Sequence, residues 1–193
     1  MRITGGLARG INLKSPAGKD TRPATDAMRE ALFSSLGDSV VDSHWCDLFA
    51  GCGCYGLEAL SRGAKSCDFV EASRPACGLL EQNLKAVLHS IQTSGGECRG
   101  KVHCTRVESY LKGSLSRSLD FIIADPPYES GQQIFSLLEN SWSAIIDPES
   151  PPVLIWECPG NEDLESPVWE EVKRIGKKKH GPSLRLLKWK SHD

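Results

Sequence analysis

Residues 44–63 read His44-Trp-Cys-Asp47-Leu-Phe49-Ala-Gly51-Cys-Gly53-Cys-Tyr-Gly56-Leu-Glu-Ala-Leu-Ser-Arg-Gly63. An apolar run of strand length passes without a break into G-x-G-x-x-G. A helical repeat then follows and stops at a glycine. This order predicts a buried strand over His44–Ala50, a tight glycine turn, and a helix over Gly56–Arg62 ended by Gly63. Strand, glycine turn and helix together form the opening unit of a parallel α/β sheet.

The rest of the chain repeats the alternation. Downstream lie a strand at Cys67–Glu71, a helix at Pro75–Leu88, a short strand at Lys101–Cys104 and a helical turn at Val107–Leu111. A strand at Leu119–Ala124, a helix at Gly131–Trp142 and a strand at Pro152–Glu157 follow. Two longer strands, Val168–Lys179 and Ser183–Lys190, flank the turn His180-Gly-Pro182 and predict a closing antiparallel hairpin. Upstream, Thr25 or Asp26 caps a helix whose apolar face is Ala27, Ala31, Leu32 and Leu36, with Gly37 ending it. The expected fold is therefore α/β, a doubly wound Rossmann-like and mostly parallel sheet with helices on both faces. Residues 1–193 form one expected domain, within which residues 1–25 read as an irregular basic N-terminal segment.

In such sheets the ligand lies beyond the carboxyl ends of the strands, so the residues after each strand carry the chemistry. Gly51, Gly53 and Gly56 let the backbone turn and approach a ligand without a Cβ in the way. Glu71, twenty residues after Gly51, can accept hydrogen bonds from a ribose diol. Two cofactors fit these residues. A dinucleotide would set its pyrophosphate on the helix N-terminus. S-adenosylmethionine carries an ammonium and a sulfonium instead, and Asp47, four residues before Gly51, offers those cations a carboxylate.

The strand ending at Ala124 runs into Asp125-Pro126-Pro127-Tyr128. Two prolines fix φ and remove two backbone donors, leaving a stiff corner rich in acceptors. An exocyclic amine on a planar base has two N–H bonds, and two acceptors can grip both. That grip aims the nitrogen lone pair, and Tyr128 adds an aromatic face for the base. Asp125, Pro126, Pro127 and Tyr128 are the expected catalytic residues.

With 39% apolar and 25% charged residues the composition is that of an ordinary globular chain, and no apolar run approaches a membrane span. The first ten residues hold no apolar signal core, so a cytoplasmic location is expected. The eight cysteines show no C-x-x-C pair and no histidine at zinc spacing. They read as reduced, mostly buried thiols, and no metal is expected. Net charge is −2 but unevenly spread. Residues 1–30 carry six Lys/Arg against three acids, and residues 173–190 carry eight against none. Two basic ends around an acidic middle suit phosphate docking at one mouth of the fold.

Three further segments extend the pattern: Met1-Arg-Ile-Thr-Gly-Gly6, Arg22-Pro-Ala-Thr25-Asp26-Ala-Met-Arg29-Glu30-Ala-Leu-Phe33 and Gly56-Leu-Glu58-Ala-Leu-Ser61-Arg62-Gly63-Ala64. With D-L-F-A-G-x-G and D-P-P-Y in this order, the chain resembles the RsmD family. These are class I S-adenosylmethionine-dependent methyltransferases acting on guanine N2 in bacterial small-subunit ribosomal RNA. The resemblance covers nearly the whole chain. It implies that Asp47, Gly51 and Gly53 line the methionine end of the cofactor, that Glu71 holds its ribose, and that Phe49 and Gly56 also belong to the cofactor site. It also implies that Asp125, Pro126 and Tyr128 receive a flipped guanine, with Asp125 beside the cofactor too. Arg2, Arg22, Thr25 and Arg29, with Lys177, Lys178 and Lys179 at the hairpin tip, are expected against RNA, within a small-subunit particle and as a monomer. One position departs from the pattern: Arg106 stands where similar proteins carry an aspartate for the adenine amine, with Val107 next. Backbone or Glu108 would then hold the adenine. Methylation of a DNA base or a glutamine amide, a dinucleotide oxidoreductase, and a catalytically silent RNA-binding assembly factor are the competing readings.

Overall fold

The predicted strands pair side by side, the apolar ones because each is too short and too apolar to stand alone. In the computed structural model, which describes residues 1–15, 25–113, 119–145, 149–176 and 181–190, they form one seven-stranded sheet. The strands are β1 (His44–Leu48), β2 (Ser66–Glu71), β3 (Arg99–Cys104), β4 (Phe121–Ala124), β5 (Val153–Pro159), β6 (Trp169–Gly176) and β7 (Pro182–Trp189). Their order is β3-β2-β1-β4-β5-β7-β6. The first five are parallel, and β7 runs antiparallel to both β5 and β6. The expected mixed sheet and closing hairpin are both present. Strand order reverses between β1 and β4, which opens a crevice at their carboxyl ends.

Alternation along each strand sorts the core into two layers. Trp45, Phe69, Phe121, Ile123, Ile155 and Leu184 face α1 (Asp26–Leu36), α2 (Cys54–Ser61) and α3 (Arg74–Thr93). Cys46, Leu48, Val70, Ile122, Leu154 and Trp156 face α4 (Val107–Tyr110) and α5 (Gly131–Ile145). Helices thus cover both faces, and a one-residue slip in any strand would exchange its two layers.

Several boundaries differ from the pattern. Strand β1 ends at Leu48, not Ala50, because Phe49 takes a positive φ of 64° and breaks the ladder. Helix α2 begins at Cys54, two residues early, with Gly53 as its left-handed N-cap. Helix α3 runs on to Thr93, five residues past Leu88, since Val87 and Ile91 continue its buried stripe. Helix α1 matches its expected signals: Thr25 Oγ1 accepts from the Met28 amide, and Gly37 caps the far end.

Residues 1–15 carry no helix or strand beyond one isolated bridge, yet they pack closely against the domain as a strap. Arg2 and Asn12 form an antiparallel bridge, and Ile3, Ala8 and Leu13 are buried in the α1–α3 layer. Glu58 on α2 holds the strap, accepting from the amides of Thr4 and Gly5, both at 2.8 Å, and from the Thr4 hydroxyl at 2.7 Å. Asn83 on α3 clasps Lys14 by both its amide and its carbonyl. Gly6 fits only because it lacks a side chain: its φ is 77°, and a Cβ there would lie 1.8 Å from the Ser61 carbonyl oxygen.

Candidate active site

Four neighbouring parallel strands each deliver one carboxyl group to the same corner. Asp47 pairs in register with Phe69 and Ile123. Glu71 follows Phe69 by two residues, Asp125 follows Ile123 by two, and Glu157 follows Ile155 by two. The period-two pleat therefore carries all four toward the α1–α3 face, at the carboxyl mouth of the sheet.

The glycine turn is built around two of them. Asp47 is almost wholly buried and accepts the Gly56 amide at 2.9 Å. Glu71 accepts the Gly51 amide at 2.9 Å and the Ser73 amide at 2.6 Å. Gly56 lets α2 lie hard against β2: a Cβ would meet the Phe69 ring at 2.4 Å and the Cys67 sulfur at 2.5 Å. Gly51, with φ of 54°, has open space where its Cβ would stand. Phe49 holds a left-handed backbone that a β-carbon resists, strain of the kind found where a loop is shaped for a ligand.

The D-P-P-Y corner lies beside this turn. Leu48 pairs with Ala124, so the residues just past each strand end are neighbours across the crevice. Asp125 is half-buried and Pro126 buried, while Pro127 is exposed. Tyr128 opens a single 3-10 turn, Tyr128–Ser130, and is half-exposed at the rim. Ser130 ties the turn by its amide and hydroxyl to the Pro127 carbonyl.

Burial pushes the Asp47 carboxyl up to about 7, against the Gly56 amide, which lowers it. Burial, then the charges of Glu157 and Asp47, push Asp125 up to about 8. Two residues absent from the expected set complete the corner. Glu157, on β5 two residues before its end, accepts the Tyr55 hydroxyl at 2.7 Å, and both are buried. Glu157 was accessible to the rule that singled out Glu71, since it ends a predicted strand. Tyr55 stands at a variable position of G-x-G-x-x-G, and no signal marks it.

The adenine-side candidates lie past β3. Cys104 pairs with Glu71, and the Thr105 amide donates to the Glu71 carbonyl. Arg106 is exposed at the N-cap of α4, and Val107 is buried beneath it.

The expected RNA-facing set is divided. Arg2 is exposed and reaches Asp26 at 3.9 Å. Thr25 serves as the helix cap. Arg29 requires correction: its side chain is fully buried, bound to the Arg2 carbonyl at 2.5 Å and to Asp26 at 2.8 Å, with Glu58 at 3.8 Å. An interior guanidinium inside such a cage braces the strap and cannot meet a phosphate. Part of the basic C-terminal run is internal too. Arg185 is buried and bonded to Ser183, Glu171, Gly160 and Glu162. Arg22, Lys177, Lys178 and Lys179 lie outside the described residues.

The cofactor alternatives separate on hydrogen bonds. A pyrophosphate needs free amides at the glycine turn and the start of α2. Here Asp47 already occupies the Gly56 amide and Glu71 the Gly51 amide, and both carboxyls would repel an anion. A ligand bearing an ammonium and a sulfonium meets the same carboxyls favourably, and the open space at Gly51 gives it room. The residues present fit S-adenosylmethionine. Among the described residues no cluster of three His, Cys, Asp or Glu could hold a metal, and no helix is long and apolar enough to cross a membrane. All eight cysteines are free thiols, six of them buried, with Cys98 part-exposed and Cys104 exposed.

A family model described as "Conserved hypothetical protein 95" matches residues 1–183. The chain is 35% identical over 140 residues to the "Putative rRNA methyltransferase YlbH" of Bacillus subtilis, covering 72% of each protein. It is 36% identical over 149 residues to "Ribosomal RNA small subunit methyltransferase D" of Escherichia coli, covering 75% of this chain and 70% of that one. The solved structure titled "Putative methyltransferase yhhF from Escherichia coli" superposes with a TM-score of 0.77 at 27% identity, over 100% of this chain and 99% of that one.

Proposed function

Because the chain belongs to the family described as conserved hypothetical protein 95, whose model spans residues 1–183, we propose that it transfers a methyl group from S-adenosylmethionine to the exocyclic N2 amine of a guanine in small-subunit ribosomal RNA. Relatives named as ribosomal RNA methyltransferases supply the substrate class. The observation that carries the reading is the adjacency of the two motifs: Leu48 pairs with Ala124, so Asp125 faces the glycine turn across the crevice.

When bound, the cofactor supplies an electrophilic methyl group on a sulfonium. Asp47 would hold the methionine end, Glu71 the ribose hydroxyls, and the backbone around Arg106 and Val107 the adenine. The guanine leaves its stack at a cost of a few kcal/mol and enters the rim beside Tyr128, which offers a ring face in return. In its ionised form, which prevails above about pH 8, Asp125 accepts one N–H bond of the amine and the carbonyl of Pro126 the other. The stiff Pro126–Pro127 backbone keeps both acceptors fixed, so the nitrogen lone pair is aimed rather than averaged over directions. Arg2 and the basic residues near both ends would meet phosphates around the site.

Transfer of labelled methyl groups to RNA, free or in small-subunit particles, tests the reading, followed by mass spectrometry of the nucleosides. N2-methylguanosine should form, and Asp125→Ala should lower the rate by roughly 10²–10³, the cost of losing one aimed transition-state contact. Equal rates in the two proteins, or a methyl group on a DNA base or a glutamine amide alone, would overturn it.

A further inference from the structure

Tyr55 and Glu157 have no part in the reaction as described, yet the fold buries both at its mouth. An interior carboxyl is costly unless a partner compensates it. Glu157 is 4% exposed, and the described partner of its side chain is the Tyr55 hydroxyl at 2.7 Å. The position is what gives the pair meaning. Trp156 and Ala124 are paired across β5 and β4, so Glu157 and Asp125 follow as the next neighbours on adjacent parallel strands.

We propose that Glu157, held by the Tyr55 hydroxyl, is a positioning residue that sets the protonation state of Asp125. The proposal rests on the methyltransferase reading above and adds what makes Asp125 a proton acceptor.

Two carboxyl groups side by side in a buried corner cannot both ionise at ordinary cost. Asp125 meets Glu157 from β5 and Asp47 from β1, and its own charge reaches Tyr55 on α2. Asp47 in turn feels Cys52 and Glu71. Arg29 acts on Cys52 and Cys54. Glu157 and Asp47 are both acids, and burial works in the same direction. The Tyr55 O–H donation favours the charged form of Glu157, so Glu157 takes the negative charge more readily and Asp125 holds its proton harder.

This bias serves the end of the reaction. After methylation the guanine nitrogen carries one proton too many. An N–H bond must break and an O–H bond form on a nearby base, with no change in oxidation state. Asp125 already touches that amine, and the Glu157 charge beside it raises its proton affinity. Tyr55 and Glu157 reach the proton only through Asp125.

The test has two arms. Asp125 is first titrated by carbon NMR of labelled aspartate in the RNA-free protein, in wild type and in Glu157→Gln. The isosteric glutamine removes the charge and keeps the volume, and Asp125 should titrate about one pH unit lower. Tyr55→Phe should move it the same way by less. The double variant should match Glu157→Gln alone, because both act through one charge. Glu157→Asp, which keeps the charge, should restore the wild-type value. The second arm is the pH profile of methyl transfer, whose acid limb should shift by the same amounts. Unchanged Asp125 titration in a folded Glu157→Gln protein overturns the proposal. So does a Tyr55→Phe effect that adds to that of Glu157→Gln. If wild type methylates no RNA, the functional reading fails, while the NMR arm still decides the coupling.

Discussion

Glu58→Gln is the substitution on which the packed strap depends most. Glu58 is fully buried. One carboxylate oxygen accepts from the Thr4 hydroxyl, the Gly5 amide and Arg62 Nε at 2.7–2.8 Å. The other accepts from the Thr4 amide and lies 3.8 Å from Arg29 Nε. Glutamine has nearly the same shape but offers an NH2 where one oxygen stood. In either orientation that NH2 points at a donor. It also removes an interior counter-charge of Arg29, whose ion pair with Asp26 lies at the protein surface. Breaking a buried pair by removing one partner costs about 3–5 kcal/mol. For a domain of this size that lowers Tm by about 6–20 °C. Thermal melts by circular dichroism measure the loss. Hydrogen exchange should localise it, with faster exchange at Thr4 and Gly5. Arg29→Met should lose stability in the same way without RNA present. A Glu58→Gln protein that melts within 1–2 °C of wild type and keeps Thr4 and Gly5 protected would refute the reasoning. So would an Arg29→Met protein of normal stability with weakened RNA binding.

Gly6→Ala should cost about 1–3 kcal/mol through backbone strain and overpacking against Ser61. Gly10→Ala, also at positive φ but facing open space, should cost less in the same urea titration. Tyr128→Ala should weaken RNA binding by about 5- to 150-fold, one lost stacking contact of about 1–3 kcal/mol, while Tyr128→Phe stays near wild type by fluorescence anisotropy. Equal binding by both variants would remove the ring from the base pocket. Asp47 and Asp125 hold protons in the folded protein up to about 7 and about 8, against about 4 when unfolded. The stability they contribute is complete below about pH 4 and is lost as pH rises through 7 and 8. Asp47→Asn should therefore reduce the fall in Tm between pH 5 and pH 8, and an unchanged slope would contradict the buried carboxyl.

The centre of the sheet was legible because β1, β2, β4 and β5 are short, mostly apolar runs, as burial on both faces requires, whereas β3 and β6 are largely exposed. Glu71 and Asp125 could be named from position alone, since ligands sit past the carboxyl ends of parallel strands. Element ends were less legible. Phe49 leaves β1 through a positive φ that no residue type announced, and α3 outlasts its predicted stop by one and a half turns. The basic ends misled in part. A count of arginines cannot tell a surface cation from one enclosed by carbonyls and carboxyls, which is where Arg29 and Arg185 lie.

The sequence by itself determined the order of elements, the glycine turn, the proline corner and the family they resemble, because each depends on residues close together in the chain. Only the tertiary structure decided which groups share a space. Glu58 meets Thr4 and Gly5 across more than fifty residues, and Tyr55 meets Glu157 across 102. Those pairings arise from strand register and helix docking, which bring distant residues to one corner and exclude water there. That exclusion is what turns an ordinary glutamate into a brace in one place and a neighbour that shifts Asp125 in another.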